Sequence, residues 1–369
     1  MPTWAVYLWP RGPVGPIHSD TLFGAFCWAQ RALLGRAGIE SFLADVPGQP
    51  PCAMSSCFPV VRAEAGMIRC YPMPMLPVPA AVAFAGSHGG SGGPPGTGNA
   101  LRGEMELMAD VRALARAPYV SEGIFHGIVE EGLGLLELQA KSTGTTPRAI
   151  RVAGIWMDGD EGRRLHESLR QNAGWEDCDI ARNHIDRVAG TTVEGFLFSV
   201  SARFYRANVG LWFALQAESI DRFLPLLRYL ADTGIGGHRS VGLSQFSIAL
   251  SEIHEVAIPS HGEGDRFVTL SRYIPAPGEV QADHQFSNYR LATIQPKHES
   301  RGGAPDQRIY KGRLLTFDAG SILALSGPRR TFYGRIVPVG RNTDGPDGHM
   351  VWHNGLGLPA FLGEGRSHG

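Results

Sequence analysis

Apolar residues recur along the chain at strand-like or helix-like spacing, and these patterns predict its first elements. Trp4 to Trp9 is predicted as a strand. Ser19 to Leu34 is predicted as a helix, with Ser19 as its N-cap and Gly35 just past its end. Similar patterns predict further elements: a strand at Met54–Val61, helices at Leu101–Ala117 and Asp158–Glu176, and strands at Glu194–Tyr205 and Val209–Gln216.

A glycine-rich loop from Gly234 to Gly242 lies between a second strong helical pattern and a strand. The apolar residues of Ile220–Asp232 fall at helical spacing, and those of Gln245–Leu250 alternate with smaller or polar residues. A dinucleotide fingerprint needs the opposite order, strand, glycine loop and helix. A Walker loop needs Lys-Ser or Lys-Thr after its last glycine, where this chain has Leu243 and Ser244. The sequence therefore excludes both nucleotide-binding motifs.

The residues of this loop suit contact with a phosphate backbone. Gly234, Gly236 and Gly237 allow close approach of backbone N–H groups, and the next side chains are polar or basic: His238, Arg239 and Ser240. Arg239 is the first candidate for a bidentate contact with a phosphate or base. An ordinary glycine-rich helix stop would show the same residues, so both interpretations remain open.

The order of regular elements, βα…ββαβ, predicts an α+β protein with a ferredoxin-like, split βαβ domain. This is also the order of RNA-recognition domains, although their aromatic motif is missing. We place this domain at 1–255, with an insertion or thumb at about 85–185 and the glycine loop at 233–242. Residues 256–369 are predicted to form a second, β-rich and more degenerate ferredoxin-like domain. Its predicted strands are Arg266–Tyr273, Tyr289–Ile294, Arg313–Phe317 and Ser321–Leu325.

Composition limits the kind of partner and site. The 369 residues carry a net charge of −1, so a nucleic-acid contact has to be local rather than a broad basic surface. Lysine occurs only at 141, 297 and 311 among 34 basic residues. Five cysteines without a C-x-x-C pair predict no disulfide framework and no standard zinc site, and we expect no cofactor. With neither a signal peptide nor a membrane span in the sequence, we expect a cytoplasmic protein.

Further basic residues are candidates for RNA contact. His18 and Ser19 precede the first helix, where free N–H groups favour a phosphate. The remaining candidates lie in three clusters: Lys141, Arg148 and Arg151 in a basic excursion; Arg182, His184 and Arg187 before a strand; and Lys311 beside Tyr310 and Arg313. The first cluster is equally compatible with a solvated surface loop, and the third is compatible with contact to RNA or to a partner subunit.

Four segments together resemble one family, the RAMP proteins of CRISPR systems. Ile17–Ala25 resembles their helix-opening motif, Arg182–Thr191 their IDR-x-T-G segment, and Asp232–Phe246 their glycine loop. Tyr289–Leu325 is similar to the C-terminal half of the Cas5-like members of type III-A (Csm) effector complexes. The chain departs from the family at Ala189, where Thr is frequent, and after Gly242, where a glycine is frequent two residues on.

The resemblance implies a subunit without catalytic activity. Such subunits bind and cap the repeat-derived 5′ handle of the guide RNA (crRNA), and they contact the large polymerase-like subunit and the adjacent backbone RAMP subunit. The basic excursion then corresponds to a thumb that presses on the guide. Three alternatives remain: a metal-independent endoribonuclease that processes guide RNA with His18 as general base, the equivalent cap subunit of a type III-B complex, and a small-molecule α+β enzyme. The sequence offers no paired acid and base for the last.

Overall fold

A computed structural model of the chain describes most of it: residues 1–44, 50–64, 66–77, 108–135, 137–138, 149–152, 154–165, 174–183, 185–186, 188–192, 197–261, 263–281, 287–296, 311–342 and 349–363. The helices in these ranges include α1 (Ser19–Ala44), α2 (Glu122–Val129), α3 (Gly159–Arg163) and α4 (Leu224–Thr233). None of them combines the length and hydrophobicity that a bilayer-spanning segment needs.

A large mixed sheet forms the centre of the molecule. Its strands in the described ranges are β1 (Thr3–Pro10), β2 (Cys52–Met54), β3 (Phe58–Arg62), β4 (Met67–Pro72), β5 (Tyr119–Ser121), β6 (Ala149–Val152), β7 (Ile155–Asp158), β12 (Val209–Ala217), β13 (Phe246–Ile248) and β14 (His254–Glu255). They run in the order β13-β1-β12-β3-β4-β5-β7-β6, while β2 pairs with β12 and β14 with β1. The β1 partners β12 and β13 are both antiparallel to it.

Each face of this sheet buries a separate apolar layer, because successive side chains of a strand point to opposite faces. Val6 and Leu8 of β1 lie in a cluster with Phe26 of α1 and Leu227 of α4. Tyr7 lies on the other face, in a cluster that takes side chains from α2 and from the C-terminal strands. The sheet is therefore covered by α1 and α4 on one side and by α2 and C-terminal strands on the other.

The C-terminal part folds as small antiparallel sheets. Its strands are β15 (Arg266–Thr269), β16 (Leu291–Ile294), β17 (Leu314–Phe317), β18 (Ile322–Ala324), β19 (Tyr333–Asn342), β20 (His349–Gly357) and β21 (Pro359–Leu362). β15 lies between β18 and β21, and the other four form two ribbons, β16–β17 and β19–β20. Val268 and Ala360 share a core with Ala5 and Trp212 of the central sheet. Residues on both sides of position 255 therefore build one core, and the domain boundary stays a prediction.

The part of the chain that follows β7 and precedes β12 forms a ribbon that is separate from the large sheet. β8 (Trp175–Arg182) pairs antiparallel with β11 (Phe198–Tyr205), and β9 (Ile185–Asp186) pairs with β10 (Thr191–Thr192) near its end. A single bridge between Val14 and Arg203 joins β11 to the loop after β1. The predicted strand at Glu194–Tyr205 is thus confirmed from Phe198 onward.

Several predicted elements differ from the structure. The helix predicted at Asp158–Glu176 is confirmed at its start, where Asp158 caps α3, and is wrong at its end, because Glu176 lies in β8. The strand predicted at Met54–Val61 divides into β2 and β3 around buried Ser55 and Ser56, whose hydroxyls bond to backbone. Within the predicted helix Leu101–Ala117, residues 108–115 are helical, and 101–107 lie outside the described residues. The glycine tract Gly86–Gly98 also lies outside them.

α1 departs from the prediction in its bounds. The helix begins at Ser19, and the Leu22 N–H donates to the His18 carbonyl at 3.0 Å, so His18 rather than Ser19 occupies the N-cap position. At Gly35 the backbone leaves helical geometry (φ 70°, ψ −160°), as the predicted helix end requires. A second helical segment then continues to Ala44.

Candidate nucleic-acid interface

The loop after β1 and the glycine loop meet at one end of the central sheet. The N–H of Arg11 donates to the carbonyl of Gln245 at 2.9 Å, and the N–H of Ser244 donates to the carbonyl of Pro13 at 2.9 Å. The N–H of Gly15 donates to the Ser244 hydroxyl at 3.3 Å. We call residues 11–18 and 234–245, together with Arg182 and Phe198, the loop junction.

The glycine loop depends on backbone conformations that other residues rarely adopt. Gly234 has φ 77° and ψ 174°, a region that is essentially restricted to glycine. A Cβ at this position would lie 2.6 Å from the Ser244 carbonyl oxygen. Gly236 and His238 also have positive φ, at 95° and 59°. Gly234 ends α4 through its N–H bond to Leu230, so the segment is a helix stop that continues into a folded loop.

We expect Gly234→Ala to disrupt this loop and Gly237→Ala to leave it intact. The first change adds a Cβ against backbone at a glycine-only conformation, which costs about 1–3 kcal/mol. Gly237 has no atom within 4 Å of a built Cβ. Urea unfolding of the two variants and amide hydrogen exchange at 235–243 measure the difference. Equal stability of the two variants would contradict the geometry.

Side chains from separate segments converge on the glycine loop. The Arg182 guanidinium, at the end of β8, donates to the Val241 carbonyl at 3.3 Å. The rings of Phe198 and His238 are 6.5 Å apart and tilted by 32°. Arg239 donates to the Gly234 carbonyl at 3.5 Å. Arg182 and the glycine loop, both predicted as binding elements, are therefore neighbours in space.

The first turn of α1 lies behind this surface and ties it to the C-terminal layer. Ser19 is completely buried, and its hydroxyl accepts the N–H of Arg272 at 3.0 Å. The Ser19 side chain therefore faces the interior, away from any ligand at the surface. His18 is partly exposed, and burial together with the nearby Arg272 charge lowers the pKa of its imidazole. Its imidazole is consequently neutral at neutral pH.

A buried charged cluster lies beneath α1. His353 Nε2 is 4.0 Å from Asp20 Oδ2, and Arg272 Nη1 is 4.0 Å from Asp20 Oδ1. Lys311 is in the same region: its ammonium donates to the Trp352 carbonyl at 3.2 Å, and burial lowers its pKa. Lys311, a predicted RNA contact, is thus bonded within the C-terminal ribbon rather than lying among the residues of the loop junction.

The structure places one of the remaining predicted contacts, Arg151, away from the loop junction. Arg151 is exposed on β6, at the opposite edge of the central sheet from β13. Four lie outside the described residues: Lys141, Arg148, His184 and Arg187. The backbone of Ser240 lies in the short 3₁₀ turn Arg239–Val241, and its side chain is also outside them.

A cleft of about 550 Å³ opens between the β8–β11 ribbon and the loop after β1. We call it the hairpin cleft. It is lined by charged and polar side chains from remote parts of the chain: His18, Asp177, Asp179, Arg203, Arg290 and Asp318. Sequence patterns single out only His18 among them. The others form no motif, because strand pairing and the C-terminal layer bring them together.

Comparison with known proteins supports one family. No family model matches the chain. It is 28% identical over 282 residues to "CRISPR system Cms protein Csm4" from Thermococcus onnurineus (strain NA1), covering 75% of this chain and 76% of that protein.

Two solved structures show the same fold. A chain of the "Csm3-Csm4 subcomplex in the type III-A CRISPR-Cas interference complex" matches with a TM-score of 0.60 at 14% identity, covering 99% of this chain and 100% of that one. A chain of a "Csm1-Csm4 cassette in complex with pppApA" matches with a TM-score of 0.54 at 18% identity, covering 98% of both. The chain is therefore similar in sequence to one Csm4 protein, and it shares the fold of chains in these two Csm complexes.

Proposed function

We propose that this subunit of a type III-A CRISPR effector binds and caps the repeat-derived 5′ handle of the crRNA at the loop junction, without cutting RNA. The observation that carries the proposal is the convergence of Arg182, Phe198, His238 and Arg239 on one glycine loop. Arg182, His238 and Arg239 come from two of the four segments that resemble RAMP proteins, and Phe198 lies on β11, outside those segments.

The loop junction combines the two kinds of contact that single-stranded RNA needs. Backbone N–H groups, Arg182 and Arg239 suit phosphates, whereas Phe198 and His238 offer rings on which a base stacks. Each stacked base contributes about 1–3 kcal/mol. Because the whole chain has a net charge of −1, these local cations have to supply the phosphate contacts.

We further propose that the chain bridges the large polymerase-like subunit and the adjacent backbone RAMP subunit. Support comes from the composition of the two matching structures, which pair Csm4 with Csm1 and with Csm3. Exposed apolar side chains suit subunit contacts, and they occur on three ribbons: Phe204 on β8–β11, Leu291 and Leu315 on β16–β17, and Trp352 on β19–β20.

The proposal includes a ferredoxin-like arrangement of the N-terminal part. Its support is the strand order β13-β1-β12-β3, with α1 between β1 and β3 and α4 between β12 and β13. In the split βαβ order the fourth strand lies beside the first, as β13 lies beside β1. That arrangement brings the loops after β1 and before β13 to the same end of the sheet.

Replacing Arg239 with alanine tests the RNA contact. We expect about a tenfold loss of affinity for an RNA that carries the handle, because a charge-assisted hydrogen bond contributes about 1.5–3 kcal/mol. The slope of log affinity against log salt should decrease by about 1, as for any lost phosphate contact. Arg228→Ala, an exposed arginine of α4, is the matched control and should change neither value. Unchanged binding in Arg239→Ala would remove this residue from the interface.

Purification of the tagged chain from its native host tests the function as a whole. We expect short guide RNAs that share one repeat-derived 5′ end, together with other subunits of the complex. Recovery of the protein without RNA would contradict the proposal. Cleavage of repeat RNA without metal, abolished in His18→Ala, would instead establish the endoribonuclease alternative.

A further inference from the structure

The hairpin cleft has the size and the walls of a site for one nucleoside. Small-molecule sites typically enclose about 300–1,000 Å³, and the cleft encloses about 550 Å³. Its apolar walls come from Val14, Ile17, Pro72, Pro118 and Leu211. A planar base could pack between such walls, leaving the polar groups of the cleft to contact its edge.

Three carboxylates in the cleft are each held by one partner. The Ser201 hydroxyl donates to Asp179 at 2.6 Å, and the Arg203 guanidinium donates to Asp177 at 2.7 Å. Arg272 donates to Asp318 at 3.3 Å. An ionised carboxylate has about four acceptor positions, so each retains acceptors for a further donor. Asp179 differs from the other two because its partner is neutral, which leaves its negative charge uncompensated by that contact.

The carboxylates of the cleft favour a base that donates hydrogen bonds. The lining has three carboxylates, two guanidinium groups and the imidazole of His18, which is neutral because burial lowers its pKa. Arg272, which bonds Asp318, adds a third guanidinium group beside the lining, so the three carboxylates are balanced in charge and offer a ligand hydrogen-bond acceptors. Cytosine, adenine and guanine present an exocyclic amino group on the edge that pairs, whereas uracil presents two carbonyl oxygens there, on either side of its N3–H. A carboxylate beside the exocyclic group accepts from the amino group of the first three bases and faces a carbonyl oxygen in the fourth.

The cleft is continuous with the loop junction. Pro13 accepts the N–H of Ser244 in the glycine loop, and the next residue, Val14, exchanges backbone hydrogen bonds with Arg203 in the cleft. His18 belongs to the loop junction and also lines the cleft. An RNA strand on the junction therefore passes the mouth of the cleft.

We propose that the hairpin cleft receives one unstacked, amino-bearing base of the bound RNA, with Asp179 as the acceptor of its exocyclic N–H. This inference rests on RNA binding at the loop junction. Arg290, which lines the same cleft, is exposed and suits contact with the ribose or phosphate at its mouth. The cleft then discriminates cytosine, adenine and guanine from uracil.

Binding of short homopolymers of cytidine, adenosine and uridine to the full chain tests the inference. We expect the wild-type protein to bind the first two about tenfold more tightly than the third. Asp179→Asn should remove most of this preference, because an amide both donates and accepts. Glu176→Gln neutralises an exposed acid of the same strand, on the other face of the ribbon, and should keep the preference.

A modified RNA gives a second measurement that needs no protein variant. In N4,N4-dimethylcytidine the exocyclic nitrogen carries no hydrogen, so its homopolymer should bind the wild-type protein as weakly as oligouridine. Equal binding of all homopolymers, or a preference kept in Asp179→Asn, would overturn the base site while leaving RNA binding in place. Failure to bind any RNA would overturn the proposed function itself. A variant that keeps its base preference but loses a partner subunit would assign the cleft to protein.

Discussion

Replacing Trp212 with alanine is expected to lower the free energy of unfolding by about 3–5 kcal/mol. Trp212 is completely buried on β12, and its indole N–H donates to the Cys70 carbonyl on β4 at 2.8 Å. Its ring makes edge contacts with Phe58 and Tyr71. The change therefore removes a large apolar volume and leaves a buried carbonyl without its donor.

Urea unfolding of the full chain measures this effect, and Trp352→Ala provides the control. Trp352 is 42% exposed on β20, so its truncation should have a much smaller effect. A loss in Trp212→Ala no larger than that in Trp352→Ala would contradict the packing described for the central sheet. RNA binding by folded Trp212→Ala protein separates the stability effect from any effect on the interface.

The second large effect is a loss of stability in mild acid that arises from His353. Burial lowers the pKa of His353 to about 4, although the Asp20 carboxylate opposes the shift, and Lys311 and Arg272 add to it. An unfolded histidine has a pKa of about 6.5. As the pH falls below 6.5, the unfolded chain therefore binds a proton that the folded chain does not bind. Stability should decrease by about 3 kcal/mol between pH 6.5 and pH 4.

Stability measured by urea unfolding across this range checks the prediction. His353→Gln should flatten the pH profile, whereas His254→Gln, which changes an exposed histidine on β14, should not. The lowered pKa of His18 acts in the same direction, so some slope should persist in His353→Gln. An unchanged slope in His353→Gln would show that other groups cause the acid sensitivity.

Elements with a strong local pattern were predictable from the sequence. The strand predicted at Trp4–Trp9 is β1, and that at Val209–Gln216 is β12, because buried strands of β-branched and aromatic residues have few alternatives. The helix predicted at Ile220–Asp232 is α4, although it begins four residues later, at Leu224. The glycine at position 234 correctly indicated where this helix ends.

Elements that depend on remote partners were not predictable. β8 consists largely of charged and polar residues and has no apolar alternation that would indicate a strand. It is a strand because β11 pairs with it, through contacts such as Arg203 with Asp177 and Ser201 with Asp179. A single sequence does not reveal such pairing, and the helix predicted across Glu176 is wrong for this reason.

Only those parts of the candidate site that lie within one continuous segment of the sequence were predictable. The glycine loop stands out in the sequence, and the RAMP-like segment at Arg182 was a separate candidate. Their contact, from Arg182 to the Val241 carbonyl, follows from tertiary structure. The hairpin cleft was harder to predict than the loop junction, because the residues that line it, such as His18 and Asp318, come from nearly opposite ends of the sequence.

The burial of Ser19 restricts how this protein can be divided for experiments. Its hydroxyl accepts the Arg272 N–H, and the Ser271 hydroxyl donates to the Met54 carbonyl at 2.8 Å, so the first helix and the central sheet are bonded to the C-terminal layer. A fragment that ends near position 255 would lose both partners and uncover the shared apolar core. A shortened protein made for RNA-binding experiments should therefore keep the C-terminal sheets. An affinity tag should be attached at either end of the full chain rather than at a new end created near position 255.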